Sequence, residues 1–96
     1  MSKEQVIELL RQYREQHRLD FGINEMGIFG SYAKGTNKKD SDLDVFVDID
    51  KPNLFLLADI KSDLEEQLNV RVDLVRKRAN MNQYLKKHIE EDAIYV

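Results

Sequence analysis

Apolar residues recur along this chain with two different periods, and the switches between them mark its elements. Val6, Leu9, Leu10 and Tyr13 follow helical spacing. Ser2, with Gln5 three residues on, forms a capping box at the start of that helix, which should end before Asp20–Phe21–Gly22. Ile23 to Phe29 reads as a short strand, weakened by Gly27. Gly30–Ser31 breaks it, Ser31 to Lys34 fits one helical turn, and Gly35 stops the turn. Thr36 to Ser41 is a polar loop. Leu43, Val45, Val47 and Ile49 then alternate with Asp42, Asp44, Phe46 and Asp48, which gives a strand with one apolar and one acidic face.

Lys51–Pro52–Asn53 is a turn, with Asn53 as a helix cap. Leu54, Leu57, Ile60 or Lys61, Leu64 and Leu68 carry the following helix. Val70, Val72 and Leu74 mark a third strand, whose other face holds Arg71, Asp73 and Val75. Asn80, with Gln83 at the box position, is expected to cap a last helix bearing Leu85, His88 and Ile89. Ala93 to Val96 adds a short terminal strand. Strands alternating with helices predict a small α/β (α+β) fold, a sheet of three to four strands flanked by helices.

Composition narrows the class. Ninety-six residues suit one domain, read here as 1–96, and 42% hydrophobic residues supply one modest core. With no cysteine, disulfide frameworks and Cys-based zinc sites are excluded. No apolar run nears a membrane span and no secretory leader is evident, so a cytoplasmic location without membrane association is expected. Fifteen basic against 18 acidic residues, a net charge of -3, argue against direct binding of nucleic acid. The same balance suits a site for divalent cations.

Three features converge on phosphate chemistry. Gly30–Ser31 follows a strand and opens a helical turn; a glycine admits a ligand close to the backbone, and free N–H groups there suit an anion. In Ser41–Asp42–Leu43–Asp44 the two aspartates share one strand face, roughly 6.5–7 Å apart along the chain. Oxygen ligands so placed suit Mg²⁺, or Mn²⁺, which such a donor set does not distinguish. Asp73 stands among apolar neighbours and points off the core face. If its strand lies beside that of Asp42 and Asp44, the three carboxylates form a two-metal site for phosphoryl transfer, with the third bridging a metal or accepting the proton of an attacking hydroxyl.

Gly30–Ser31–Tyr32–Ala33–Lys34–Gly35, then Ser41–Asp42–Leu43–Asp44, then Asp73, resembles the DNA polymerase beta superfamily of nucleotidyltransferases. The short length is most similar to the minimal nucleotidyltransferase (MNT) proteins, antitoxins commonly paired with HEPN-domain RNase toxins. The resemblance implies a mixed sheet with the site on one face. It implies ATP as substrate and two Mg²⁺ ions as cofactors, with AMP passed to a tyrosine of a HEPN toxin in a type VII-like antitoxin role and a hetero-oligomer with that partner. It assigns Asp42, Asp44 and Asp73 to metal binding and catalysis. Gly30, Ser31, Lys34 and Ser41 would bind the nucleotide. Tyr32 and Lys34 stand where this family often has arginines, and lysine keeps the charge but not the bidentate fork.

Each feature also has a plainer reading. Gly-Ser is often only a turn, an alternating acidic face is often only solvated, and Asp73 has Arg71 nearby as an ion-pair partner. Asp48 and Asp50 read as strand-end residues, and Lys38, Lys39 and Arg76–Lys77–Arg78 as solvated loops or contacts to phosphate or an acidic partner. His17 and His88 are isolated, on helix surfaces. Tyr32 is either exposed beside the phosphate turn or packed against the first helix. Leu54–Phe55–Leu56–Leu57 has more apolar positions than one stripe needs, so Phe55 or Leu56 marks an interface or a helix buried on two sides. The competing functions are an antitoxin acting by binding alone and a transferase directed at RNA or a small molecule. The complete carboxylate set favours the enzyme over the binding-only antitoxin, and the third reading ranks lowest because its larger relatives carry recognition domains that 96 residues cannot supply.

Overall fold

Capping chemistry starts the first helix where the sequence places it. The Gln5 N–H donates to Ser2 Oγ at 3.1 Å and the Ser2 N–H to Gln5 Oε1 at 2.8 Å. The computed structural model describes residues 1–96. Its elements are α1 (Lys3–His17), β1 (Ile23–Phe29), α2 (Gly30–Lys34), β2 (Leu43–Ile49), α3 (Leu54–Leu68), β3 (Val72–Arg76), α4 (Gln83–Asp92) and β4 (Ile94–Tyr95). The sheet order is β3-β2-β1-β4. β1 pairs antiparallel with β2 and with β4, whereas β2 and β3 run parallel. A parallel pair needs a crossover, and α3 supplies it. The expected mixed α/β sheet flanked by helices is the fold observed.

Alternation sorts the sheet into two faces. Ile23, Met26 and Ile28 of β1, Leu43, Val45, Val47 and Ile49 of β2, and Val72 of β3 turn to one side. There they bury against Val6, Leu10 and Tyr13 of α1 and Ile60, Leu64 and Leu68 of α3. The Tyr13 hydroxyl donates to Asp63 at 2.7 Å, which joins the two helices; burial first, then that carboxylate, pushes the phenol well above its ordinary range. The opposite face carries a smaller cluster of Phe29, Phe46, Met81 and Ile89, under α4. Gly27 lies beneath it because a side chain there would strike the Ile94 carbonyl and the Phe46 ring.

The opposite face therefore has three rows, read from the pairing of β1, β2 and β3. Phe29, Asp44 and Asp73 form the first; Gly27, Phe46 and Val75 the second; Glu25, Asp48 and Lys77 the third. Apolar packing fills the middle row, and charged groups hold both ends.

Two expectations are corrected and one alternative is resolved. The cap of α4 is Asn82, whose side chain accepts from the N–H of Tyr84 and Leu85 at 2.9 and 3.2 Å. Asn80 sits in the preceding turn because Met81 first dips into the second cluster, which delays the helix. Leu54 lies in water at the start of α3, off its buried stripe, as does Phe55. Of the two readings of Tyr32, the buried one holds, since it packs in the main core. No helix is long and apolar enough to cross a membrane.

Candidate active site

The site is built at one end of the sheet by local backbone rules. β1 delivers the chain to Gly30, whose φ of 71° lies in the region that only glycine enters easily. A Cβ at this position would collide with the Asp44 carboxylate. The phosphate turn and the central aspartate are thus in direct apposition. α2 closes on Gly35, at φ 76°, whose N–H donates to the carbonyl of Tyr32. Tyr32 and Ala33 anchor this short helix in the core, which leaves Gly30, Ser31 and Lys34 on its outer side.

Asp44 and Asp73 are register partners on adjacent parallel strands, so their Cα atoms stand one strand spacing, about 4.8 Å, apart. The Leu43 N–H donates to the Arg71 carbonyl at 2.8 Å across that register, and the Val72 N–H donates to Glu65 Oε2 at 3.0 Å, which ties the start of β3 to α3. Glu65 is thereby a support of the site, and nothing in the residue pattern singles it out. Leu43, between the aspartates, is fully buried, as its alternation requires.

Asp42 stands just ahead of β2 and meets Arg71, with Nε 3.2 Å from Oδ1. Arg71 thus pairs with Asp42 and not with Asp73. Both side chains are largely exposed, 79% and 51%, so this pair adds little stability. Asp44 and Asp73 have no ion pair and accept no side-chain hydrogen bond. Burial, then Asp73, then Asp42 raise the Asp44 carboxyl above its ordinary 3.8.

Uncompensated carboxylate oxygens side by side are the donor chemistry of a hard divalent cation; Asp44 and Asp73 fit one in that respect, with Asp42 beside them and one of its oxygens held by Arg71. They stand open: no group of three or more acidic or histidine side chains is close enough to grip an ion unaided. Mg²⁺ commonly takes only one or two carboxylates and fills its shell with phosphate oxygens and water. None of the surface clefts is lined by the three aspartates; the site is an open ledge.

Ser31 is half-buried at the start of α2. Ser41 Oγ accepts the Lys38 N–H at 2.8 Å and so braces the loop ahead of Asp42. Lys34 lies 3.4 Å from Asp92, a residue sequence reasoning did not single out. At the far end of the face, Arg76, Lys77, Arg78 and Lys86 line a cleft of about 360 Å³ with Glu25 and Asp48. Lys77 is bound there by the Tyr95 hydroxyl at 2.8 Å and Glu25 at 3.3 Å, and the Tyr95 bond is the main reason its ammonium holds its proton above the usual range.

A family model described as a nucleotidyltransferase domain matches residues 7–96. The protein adenylyltransferase MntA of Thermococcus cleftensis is 34% identical over 97 residues, covering 100% of this chain and 97% of that protein. A Methanocaldococcus jannaschii protein assigned as an adenylyltransferase is 36% identical over 93 residues, 96% of this chain and 95% of its own. A solved minimal nucleotidyltransferase superposes with a TM-score of 0.78 at 32% identity, covering 98% of this chain and 95% of that one. The same fold recurs in a toxin–antitoxin structure with AMP-PNP, with a TM-score of 0.73, 23% identity and coverage of 99% and 72%. It recurs again in a tri-AMPylated HEPN toxin complex with its MNT antitoxin from Shewanella oneidensis, at 0.72, 16%, 97% and 70%. With its Gly30–Ser31 turn against paired strand aspartates and its near full-length likeness to these relatives, the chain belongs to the nucleotidyltransferase family, in its minimal branch.

Proposed function

We propose that this nucleotidyltransferase moves AMP from metal-bound ATP to a hydroxyl of a partner protein, a tyrosine of a HEPN-type toxin, and so acts as an antitoxin. One observation carries the chemistry: Asp44 and Asp73 in register, with Gly30 against Asp44. The partner is supported by the relative named MntA and by toxin–antitoxin complexes that share the fold.

Gly30 and Ser31 would hold the triphosphate through backbone N–H groups and the Ser31 hydroxyl. Asp42 and Asp44 would hold two divalent ions, Mg²⁺ or Mn²⁺, with Asp73 as the third ligand. When bound, such ions neutralise the triphosphate and stabilise departing pyrophosphate. The acceptor oxygen bonds to the α-phosphorus, the bond from that phosphorus to the bridging oxygen breaks, and pyrophosphate leaves with the bond's electrons. Asp73 is more exposed than Asp44, which suits it to take the hydroxyl proton from an incoming acceptor. An open ledge lets a protein side chain approach, where a closed pocket would select a small molecule.

The test uses α-labelled ATP, this chain and the product of the neighbouring gene. Label should appear on the partner, and Asp42→Asn with Asp44→Asn should reduce it to background while the fold persists. Transfer that survives in the double variant would remove these residues from the active site. Exposed Leu54 and Phe55 offer an apolar patch for association. Full neutralisation of the toxin by the inactive variant would therefore favour control by binding alone.

A further inference from the structure

The last turn of α4 reads Glu90–Glu91–Asp92. Carboxylates at a helix C-terminus oppose the partial negative charge there, so helix stability does not account for them. Glu90 is exposed, and Glu91 pairs outward with Lys87 at 3.8 Å. Asp92 turns inward. Its side chain is 14% exposed, and its Oδ2 is sealed from solvent with no hydrogen-bond partner. One cation reaches that oxygen, Nζ of Lys34 at 3.4 Å, close enough to pair as charges but not aligned as a hydrogen bond. A desolvated carboxylate held this way is a poor structural element, since an apolar residue would pack there at lower cost.

Lys34 closes α2 four residues after Gly30 and so shares its side of the turn. Its side chain is 50% exposed. An ammonium has three donors, and a partner on one side leaves the others free. A lysine loose in solvent loses rotamer freedom on meeting a phosphate; an ion pair formed in advance removes much of that loss.

We propose that Asp92 is a positioning residue for the nucleotide: it fixes the Lys34 ammonium beside α2 so that its remaining donors meet the triphosphate over Gly30–Ser31. The inference rests on the nucleotidyltransferase reading of this site and adds a residue from the far end of the chain to it.

Calorimetric titration with a non-hydrolysable ATP analogue and Mg²⁺ tests it. Asp92→Asn and Lys34→Ala should each weaken binding about five- to ten-fold, Asp92→Glu should recover most of the loss, and the double variant should bind no worse than Lys34→Ala. A charge swap, Lys34→Asp with Asp92→Lys, restores the ion pair but presents a carboxylate to the phosphates; it should keep the melting temperature and lose the nucleotide. Wild-type affinity in Asp92→Asn, multiplied losses in the double variant, or recovered binding in the swap would each overturn the proposal. Should Asp92→Asn fail to fold, Asp92→Leu, which packs at lower cost in that setting, takes its place in the same cycle with the same expected loss, and wild-type affinity there would overturn the proposal. If the unaltered protein binds no analogue at all, the transferase reading itself fails, which is a separate outcome.

Discussion

Gly30 and Gly35 bracket α2 with nearly the same left-handed backbone, φ 71° and 76°, but different surroundings. A Cβ on Gly35 meets nothing within 4 Å, whereas one on Gly30 meets the Asp44 carboxylate. Gly35→Ala should cost only the conformational strain, about 1 kcal/mol, and preserve transfer. Gly30→Ala should cost roughly 1–2 kcal/mol more by urea denaturation, from the clash added to that strain, and abolish transfer. Asp44 permits a pH test. Its carboxyl titrates above 3.8 in the fold, so the folded chain holds this proton more tightly than the unfolded one. That contribution to stability is complete below 3.8 and is lost as pH rises through the raised value. Without metal, Asp44→Asn should therefore melt higher than the unaltered protein at pH 7, and the gain should vanish toward pH 3 in a melting series. With Mg²⁺ and ATP the order should reverse, because only the carboxylate binds the ions.

At the scale of elements, the strands and the first two caps were legible because each is written locally. β2 alternates with Phe46 as its one apolar residue on the acidic face, and Ser2 and Asn53 have the side chains that N-caps require. The N-terminus of α4 was not legible. Asn80 and Asn82 are equally good caps by type, and only the burial of Met81 decides between them. Asn82→Ala should cost about 1 kcal/mol and Asn80→Ala close to nothing, as measured by the denaturant midpoint of each. The site divides in the same way. Residue type and spacing pick out Gly30, Ser31, Lys34, Ser41, Asp42, Asp44 and Asp73 as candidates, and the fold sets Asp44 beside Asp73 and Gly30 against Asp44. The Arg71–Asp42 and Lys34–Asp92 pairs were not legible, because they join residues far apart in the chain, and the bond from Val72 to Glu65, seven residues away, depends on how the chain turns from α3 into β3.

For the whole molecule, the decisive feature is the change of pairing sense within one sheet. β1 and β2 meet antiparallel through α2 and a polar loop, whereas β2 and β3 meet only after α3 has crossed over and docked. The catalytic ledge straddles this second junction, with Asp42 and Asp44 on one side and Asp73 on the other. A ligand that binds both sides would act as a clasp across a seam. Hydrogen–deuterium exchange should show it: Mg²⁺ and the ATP analogue should slow exchange at the Leu43 amide, which bonds to Arg71, more than at amides between β1 and β2. Equal slowing at both junctions would count against the idea. On the proposed reading a bound nucleotide would also guard the chain against cleavage, and limited proteolysis should run more slowly with Mg²⁺ and the ATP analogue than without them.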